Sequence, residues 1–274
     1  MMKQQFSRTS VYKELGISYL AGLSQSAKMH KSYENGTLTL CLYLAPSTMS
    51  GHNVCPKSDM CKDLCLNGSG RNKMDIFANG FEHSKINQSR IKKTKLFFED
   101  REKFMLTLIQ EIENGLKKAK ELNMSFSVRL NGTSDISPLA FKHKDVFAGQ
   151  NILEIFPDVQ FYDYTKVFNR INLPTIYPNY DITFSFDGSN WDECEEYLKM
   201  GGKVAMVFDT DNMPQSYKGY PLHDANEYDM RYLDPKSHIM YLHYHRTAND
   251  YKSGKYVKPN SPFVINDDNP NILF

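Results

Sequence analysis

Three thiols fall in one short loop. Cys55, Cys61 and Cys65 lie within GHNVCPKSDMCKDLCLNGSG, residues 51–70, of a 274-residue chain that holds five cysteines. Their spacing, C-x5-C-x3-C, supplies three soft ligands and no fourth cysteine until Cys194. A structural zinc site closes with four ligands, commonly two close-spaced pairs, so zinc here needs His52 or a distant residue to complete it. An iron–sulfur cluster held by three thiolates leaves one iron open to another ligand. A 4Fe-4S cluster, a zinc-stapled loop and three unligated thiols are the readings open at this point. Cys41, in a hydrophobic run, and Cys194, in an amphipathic stretch, read as small buried hydrophobes.

Other residues with chemistry to offer gather where apolar runs end. RLNGTSDISPL (129–139) brings Arg129, Asn131, Thr133, Ser134 and Asp135 around Gly132. Such a turn can present backbone amides and a carboxylate to a polar ligand, or simply cap a strand-to-helix turn. FYDYTK (161–166) ends in Tyr164, Thr165 and Lys166, FSFDGSN (184–190) carries Ser185 and Asp187, and FDTDN (208–212) carries Asp209 and Asp211. Lys166 can hold a carboxylate or phosphate, Ser185 and Asp187 can bind hydroxyls, and Lys166 and Asp209 are the candidate catalytic residues. YLHYHR (241–246) is similar to the histidine pair of rolling-circle replication nucleases. On a strand His243 and His245 share a face, with Tyr251 or Tyr256 as nucleophile. The basic run SRIKKTK (89–95) is expected as a solvated helix face, or as a contact to a nucleic-acid phosphate backbone.

These residues need a frame. Six short runs rich in aliphatic, aromatic and β-branched residues predict strands at 37–45, 125–131, 159–165, 181–187, 203–209 and 239–245. Several are continuously apolar, as parallel strands covered on both faces tend to be. Phe104, Leu108, Ile112 and Leu116 recur at intervals of four and predict a helix over 100–122 with Asp100 as N-cap. A second helix is expected over 75–97, and a third, WDECEEYLKM, stops at Gly201-Gly202. The alternation predicts an α/β protein with a parallel sheet closed or partly closed as a barrel, its chemistry at the C-terminal strand ends. The cysteine loop leaves the first of the six strands, at that face.

Thirty-three basic against thirty-two acidic residues leave a net charge of +1, so no global field draws the chain toward nucleic acid or membrane. No window has the apolar length of a signal peptide or membrane span, which predicts a cytoplasmic protein. No linker divides the chain. One domain over 1–274 is expected, with extensions at 1–36 and 247–274 around a core at 37–246.

LSQSAKM (23–29), CPKSDMCKDLCLNGSG (55–70), VRLNGTSDIS (128–137), FPDVQFYDYTK (156–166), VAMVFD (204–209) and YDMRYLDP (228–235) together resemble the bacteriophage gene product 88 domain family. Its members look like distant relatives of radical S-adenosylmethionine enzymes. The resemblance implies a partial (β/α)6 TIM-like barrel, with Cys55, Cys61 and Cys65 holding a 4Fe-4S cluster whose open iron takes S-adenosylmethionine. It places Gly132, Thr133 and Asp135 at the cofactor's amino group and Ser185 and Asp187 at its ribose. It also implies an electron donor from the host, a host-cytoplasmic location and a substrate not named by the motifs. That superfamily's usual spacing is CxxxCxxC, shorter than the spacing here, and Leu64 stands where an aromatic often precedes the last cysteine. The alternative is a zinc-stapled barrel that binds nucleic acid or a host protein, or a rolling-circle-type nuclease.

Overall fold

A computed structural model describes residues 6–23, 27–252, 255–256 and 259–267. The LSQSAKM stretch and the C-terminal extension therefore lie partly outside the described residues. The strands are β1 Ala21–Leu23, β2 Thr37–Leu42, β3 Ser125–Arg129, β4 Gln160–Thr165, β5 Tyr180–Ser185, β6 Lys203–Asp209, β7 Ser216–Tyr217, β8 Tyr220–Asp224, β9 Ile239–His243, β10 Tyr251–Lys252, β11 Lys255–Tyr256 and β12 Val264–Asn266. The helices are α1 Arg8–Leu15, α2 Ala27–Glu34, α3 Gly70–Asn79, α4 Lys85–Glu99, α5 Arg101–Glu121, α6 Ile152–Ile155, α7 Leu173–Ile176 and α8 Trp191–Lys199.

All six expected strands form, and they pair in parallel in chain order, β2-β3-β4-β5-β6-β9. Antiparallel β1 extends one side of this sheet, and β8 with β7 extends the other. The result is a mixed α/β protein with a ten-stranded sheet that does not close on itself. Four expected strands run two or three residues past their ladders, because Tyr43 to Ala45, Leu130 to Asn131, Phe186 to Asp187 and Tyr244 to His245 already belong to the turns. Among the described residues no helix is long and apolar enough to cross a membrane.

The alternating side chains of the sheet divide sharply. One face carries Leu40, Leu42, Val128, Phe161 and Ile182, packed with Phe104, Leu108 and Ile112 of α5. Phe184, Val204, Met206 and Phe208 continue it against Cys194, Tyr197 and Leu198 of α8. The other face is polar. Arg129 reaches Asp229 through Nη1 at 2.9 and 3.0 Å, and the Tyr162 hydroxyl donates to the same carboxylate at 2.9 Å. Asp229 and Arg231 have no exposed surface and Asp234 has 6 %, so the charged side chains of YDMRYLDP are buried against this face.

The expected helix over 75–97 is two helices. Gly80, at φ 81°, ends α3, and the Ser84 hydroxyl accepts the Asn87 N–H to start α4. The long helix keeps its expected cap, the Asp100 carboxylate accepting the Lys103 N–H at 3.1 Å.

One pairing was not expected at all. β9 lies along one side of β6. On the other side β5 pairs with residues 203–205, and β12 takes over at 207–209. Strand β12 thus pairs with β6 alone, on the side that β5 leaves beyond residue 205. Gly188, at φ +105°, lets it in: a Cβ there would stand 2.8 Å from the Phe263 nitrogen and 2.9 Å from the Pro262 carbonyl carbon.

Candidate functional site

The carboxyl ends of the parallel strands carry the site. The loop after β2 bears the three cysteines, each partly exposed and none in a disulfide. Cys55 accepts the Ser47 N–H at 3.4 Å and directs its thiol to the Thr133 carbonyl at 3.8 Å. Cys65 accepts the Asn67 N–H at 3.5 Å. Burial pushes the Cys55 thiol up to about 11, the Ser47 amide opposes this, and charge on Cys65, Asp135 and Cys61 would push it further. Burial also raises Cys65; its amide bond lowers it, the neighbouring Cys61 raises it, and the charges of Lys166 and Arg90 lower it. Cys55 and Cys65 therefore feel neighbouring thiols, and Cys65 also feels two cations. Among the described residues, however, no three histidine, cysteine or carboxylate side chains stand close enough as placed to hold a metal ion.

The chemistry of this donor set fits a thiolate-bound metal centre. Burial and neighbouring charge oppose ionisation of Cys55 and Cys65, and a bound cation would offset both. His52 is engaged elsewhere, its ring stacked on Phe98 at 4.2 Å and its Nε2 3.7 Å from Glu99.

The turn after β3 closes over this loop. Asp135 donates its N–H to the Val54 carbonyl at 2.8 Å, next to Cys55. Its carboxylate accepts from the Thr165 hydroxyl at 2.8 Å, the Lys166 N–H at 2.9 Å and Arg170 Nη1 at 2.5 Å. The Thr133 hydroxyl donates to the Leu44 carbonyl at 2.6 Å. Gly132 sits where a Cβ would meet the Tyr43 ring at 2.6 Å and the Cys41 sulfur at 3.0 Å. The polar groups of Thr133 and Asp135 fasten this turn to the segment after β2, to the end of β4 and to the cysteine loop.

A cleft of about 330 Å³ opens beside them, lined by Lys57 of the cysteine loop, Lys166, Asp187, Ser189, Asn190, Asp192 and Glu193. Lys166 also lies 5.3 Å from the Phe263 ring centroid, so the segment that ends in β12 borders the site. Ser261 reaches the Met60 carbonyl at 3.5 Å, joining that segment to the cysteine loop as well. Asp187 accepts the N–H groups of Ser189 and Asn190 at 2.8 and 3.1 Å. Ser185 is buried and its carbonyl accepts from Asn190 at 3.1 Å. Asp209 stands in register with Asn266 and does not line the cleft.

His243 ends β9 with its ring against Tyr241, and its N–H donates to Asn226 at 3.0 Å. His245 lies beyond the strand, so the two do not share a strand face. Tyr251 packs against Phe77 and Lys73; the side chain of Tyr256 lies outside the described residues. Cys41 and Cys194 are both buried, as expected.

What these observations define is an open α/β sheet protein with a thiol-bearing loop, a tethered turn and a polar cleft at the carboxyl ends of its parallel strands. The chain belongs to the gene product 88 family, a model of which matches residues 21–258. Neither the search of curated proteins nor the search of solved structures returns a match.

Proposed function

We propose that this chain is an iron–sulfur enzyme of the radical S-adenosylmethionine kind, removing a hydrogen atom from a substrate in the cleft, its sheet curving as a partial barrel. The observation that carries the reading is the placement of three free thiols, Cys55, Cys61 and Cys65, in one loop at the carboxyl end of β2 and beside a charged cleft. These thiols would hold a 4Fe-4S cluster. Bound there, the cluster would supply a single electron, delivered by a donor of the host, for the reductive cleavage of S-adenosylmethionine.

The protein's own part is positioning. Lys57 and Lys166 suit a carboxylate, while Asp187, Asp192 and Glu193 suit an ammonium group, so the cleft matches a zwitterionic amino-acid end. Asp135 fixes the backbone of Lys166 and thereby the cation's place at the rim. Gly132 leaves room for Tyr43 and Cys41, which keeps the turn close to the loop.

The test is iron, sulfide and zinc content of anaerobically purified protein, beside a variant carrying Cys55→Ala, Cys61→Ala and Cys65→Ala. About four irons per chain, lost in the variant, are expected. Stoichiometric zinc without iron would overturn the proposal.

A further inference from the structure

Between Pro259 and Asn266 the chain makes a small closed loop beside the cleft. Its two ends are buried: Pro259 on one side, and Val264, Ile265 and Asn266 on the other, where they pair with β6. Asn266 Nδ2 donates to the Pro259 carbonyl at 3.4 Å and ties the two ends together. The tip, residues 260–263, has bonds of its own. The Val264 N–H closes a turn on the Ser261 carbonyl at 3.1 Å, and the Phe263 N–H donates to the Ser261 hydroxyl at 3.3 Å.

The tip touches each of the three segments that line the cleft, and it grips none of them. Ser261 reaches the Met60 carbonyl of the cysteine loop at 3.5 Å, at the far limit of a hydrogen bond. Pro262 and Phe263 lie against Gly188, between the lining residues Asp187 and Ser189. Phe263 presents its ring to Lys166 Nζ at 5.3 Å. Lys166 forms no ion pair among the described residues, although Asp187, Asp192 and Glu193 line the same cleft. Its backbone is fixed by Asp135, so the side chain is the part free to turn. A segment bonded within itself thus rests on its surroundings through one long hydrogen bond, one cation–ring contact and backbone packing. That is the pattern of a part that lifts as a unit.

We propose that residues 260–263 are a flap over the cleft, hinged at Pro259 and Val264, with Lys166 as its latch. The carboxylate of a small molecule entering the cleft is a stronger partner for the Lys166 ammonium than the face of a phenylalanine ring. When the ammonium turns to that carboxylate the flap loses its latch, so the ligand controls access to its own site. The coupling is reciprocal: a change that frees the latch raises the affinity of the cleft for the anion. The flap's role rests on the cleft being the substrate's site, as proposed above. No metal enters its test, so the flap can fail while the iron content holds, and the reverse.

Acetylation of the full chain with sulfosuccinimidyl acetate, followed lysine by lysine by peptide mass spectrometry, tests the latch. Lys166 is expected to label more slowly than the exposed Lys92 in the parent. Phe263→Leu keeps apolar bulk and removes the aromatic face. In it the Lys166 rate should rise about threefold, the worth of a partly exposed cation–ring contact, with Lys92 unchanged. Ser261→Ala, which loses the bond to Met60, should shift the rate in the same direction and gives the reading if Phe263→Leu does not fold. Hydrogen exchange over 259–266 tests the ligand's part: it should quicken in the parent with roughly 100 mM sodium acetate and not with equal sodium chloride. In Lys166→Met it should be fast from the start and indifferent to acetate. Equal labelling of Lys166 and Lys92 in the parent, an unchanged Lys166 rate in both variants, or exchange in the parent that ignores acetate would overturn the proposal.

Discussion

Asp135 is where the turn, the cysteine loop and the cleft are tied together, and its removal has a size that follows from the geometry. The Asp135 side chain is 13 % exposed and that of Arg170 16 %. Its carboxylate accepts from the Thr165 hydroxyl, the Lys166 N–H and Arg170. In Asp135→Ala the Thr165 hydroxyl and the Lys166 N–H lose their partner, Arg170 loses the carboxylate and keeps the backbone carbonyl at 3.0 Å, and Thr165, 3 % exposed, cannot turn to water instead. Breaking one side of a buried pair costs about 3–5 kcal/mol; with both ends still touching solvent, the low end, about 3 kcal/mol, applies. For a chain of this size that is on the order of 6–10 °C in melting temperature. Asp135→Asn keeps an acceptor oxygen and loses the charge, so about half that loss is expected. Urea unfolding at pH 7, fitted with a common slope, measures both. Stability of the alanine variant within about 0.5 kcal/mol of the parent would refute the idea that this carboxylate holds the rim together.

Asp163 supplies a pH dependence. Burial raises its carboxyl to about 7, against the opposing pull of Arg129 and of the Asn131 N–H groups, which donate at 2.7 and 3.0 Å. Between about pH 4 and 7 the folded state keeps a proton that the unfolded state has released, so this group makes stability fall as pH rises, by on the order of 1 kcal/mol per unit. Asp163→Asn should flatten that part of the urea-midpoint profile, and an unchanged slope would contradict it. Gly188→Ala places a Cβ 2.8 Å from the Phe263 backbone at a positive φ, so the segment leading into β12 should loosen. A loss of about 1–3 kcal/mol and faster proteolysis near residue 263 are expected, and wild-type behaviour in both would count against this close packing.

The parallel sheet and the long helix could be read from the sequence because their signals are local. Continuously apolar runs such as 203–209 announce a strand covered on both faces, and the interval of four from Phe104 to Leu116 announces a helix. The cysteine loop and the turn at 129–139 were legible as neighbours once they were assigned to the ends of adjacent strands, and Asp135 does bind Val54 across that boundary. Three things were hidden. The pairing of β12 depends on partners far away in the chain, and a three-residue strand has no periodicity to detect. The roles of Thr133 and Asp135 depend on which partners surround them, and those partners are the Leu44 carbonyl, the Thr165 hydroxyl and Arg170. The basic run over 89–95 is not one solvated face, since Lys92 and Lys95 are exposed whereas Lys93 is buried. Whether a lysine there faces water or protein turns on rotation of α4 by one or two residues, and composition carries no trace of that. Gly80 and Ser84 together did signal the break between α3 and α4, since a glycine stop followed by a serine cap is a helix boundary.

The pairing of β12 with β6 has a consequence for synthesis on the ribosome. A nascent chain that has emerged only as far as β9 already contains β5, β6 and the cysteine loop, yet residues 207–209 of β6 still show one row of unpaired backbone groups beside the site. Such an unfinished edge is a template for wrong pairing. The strand that covers it is translated after β9, and it arrives with Phe263, which borders Lys166. Covering of this edge and arrival of Phe263 at the rim are therefore one event in time, and it follows the synthesis of β2 to β9.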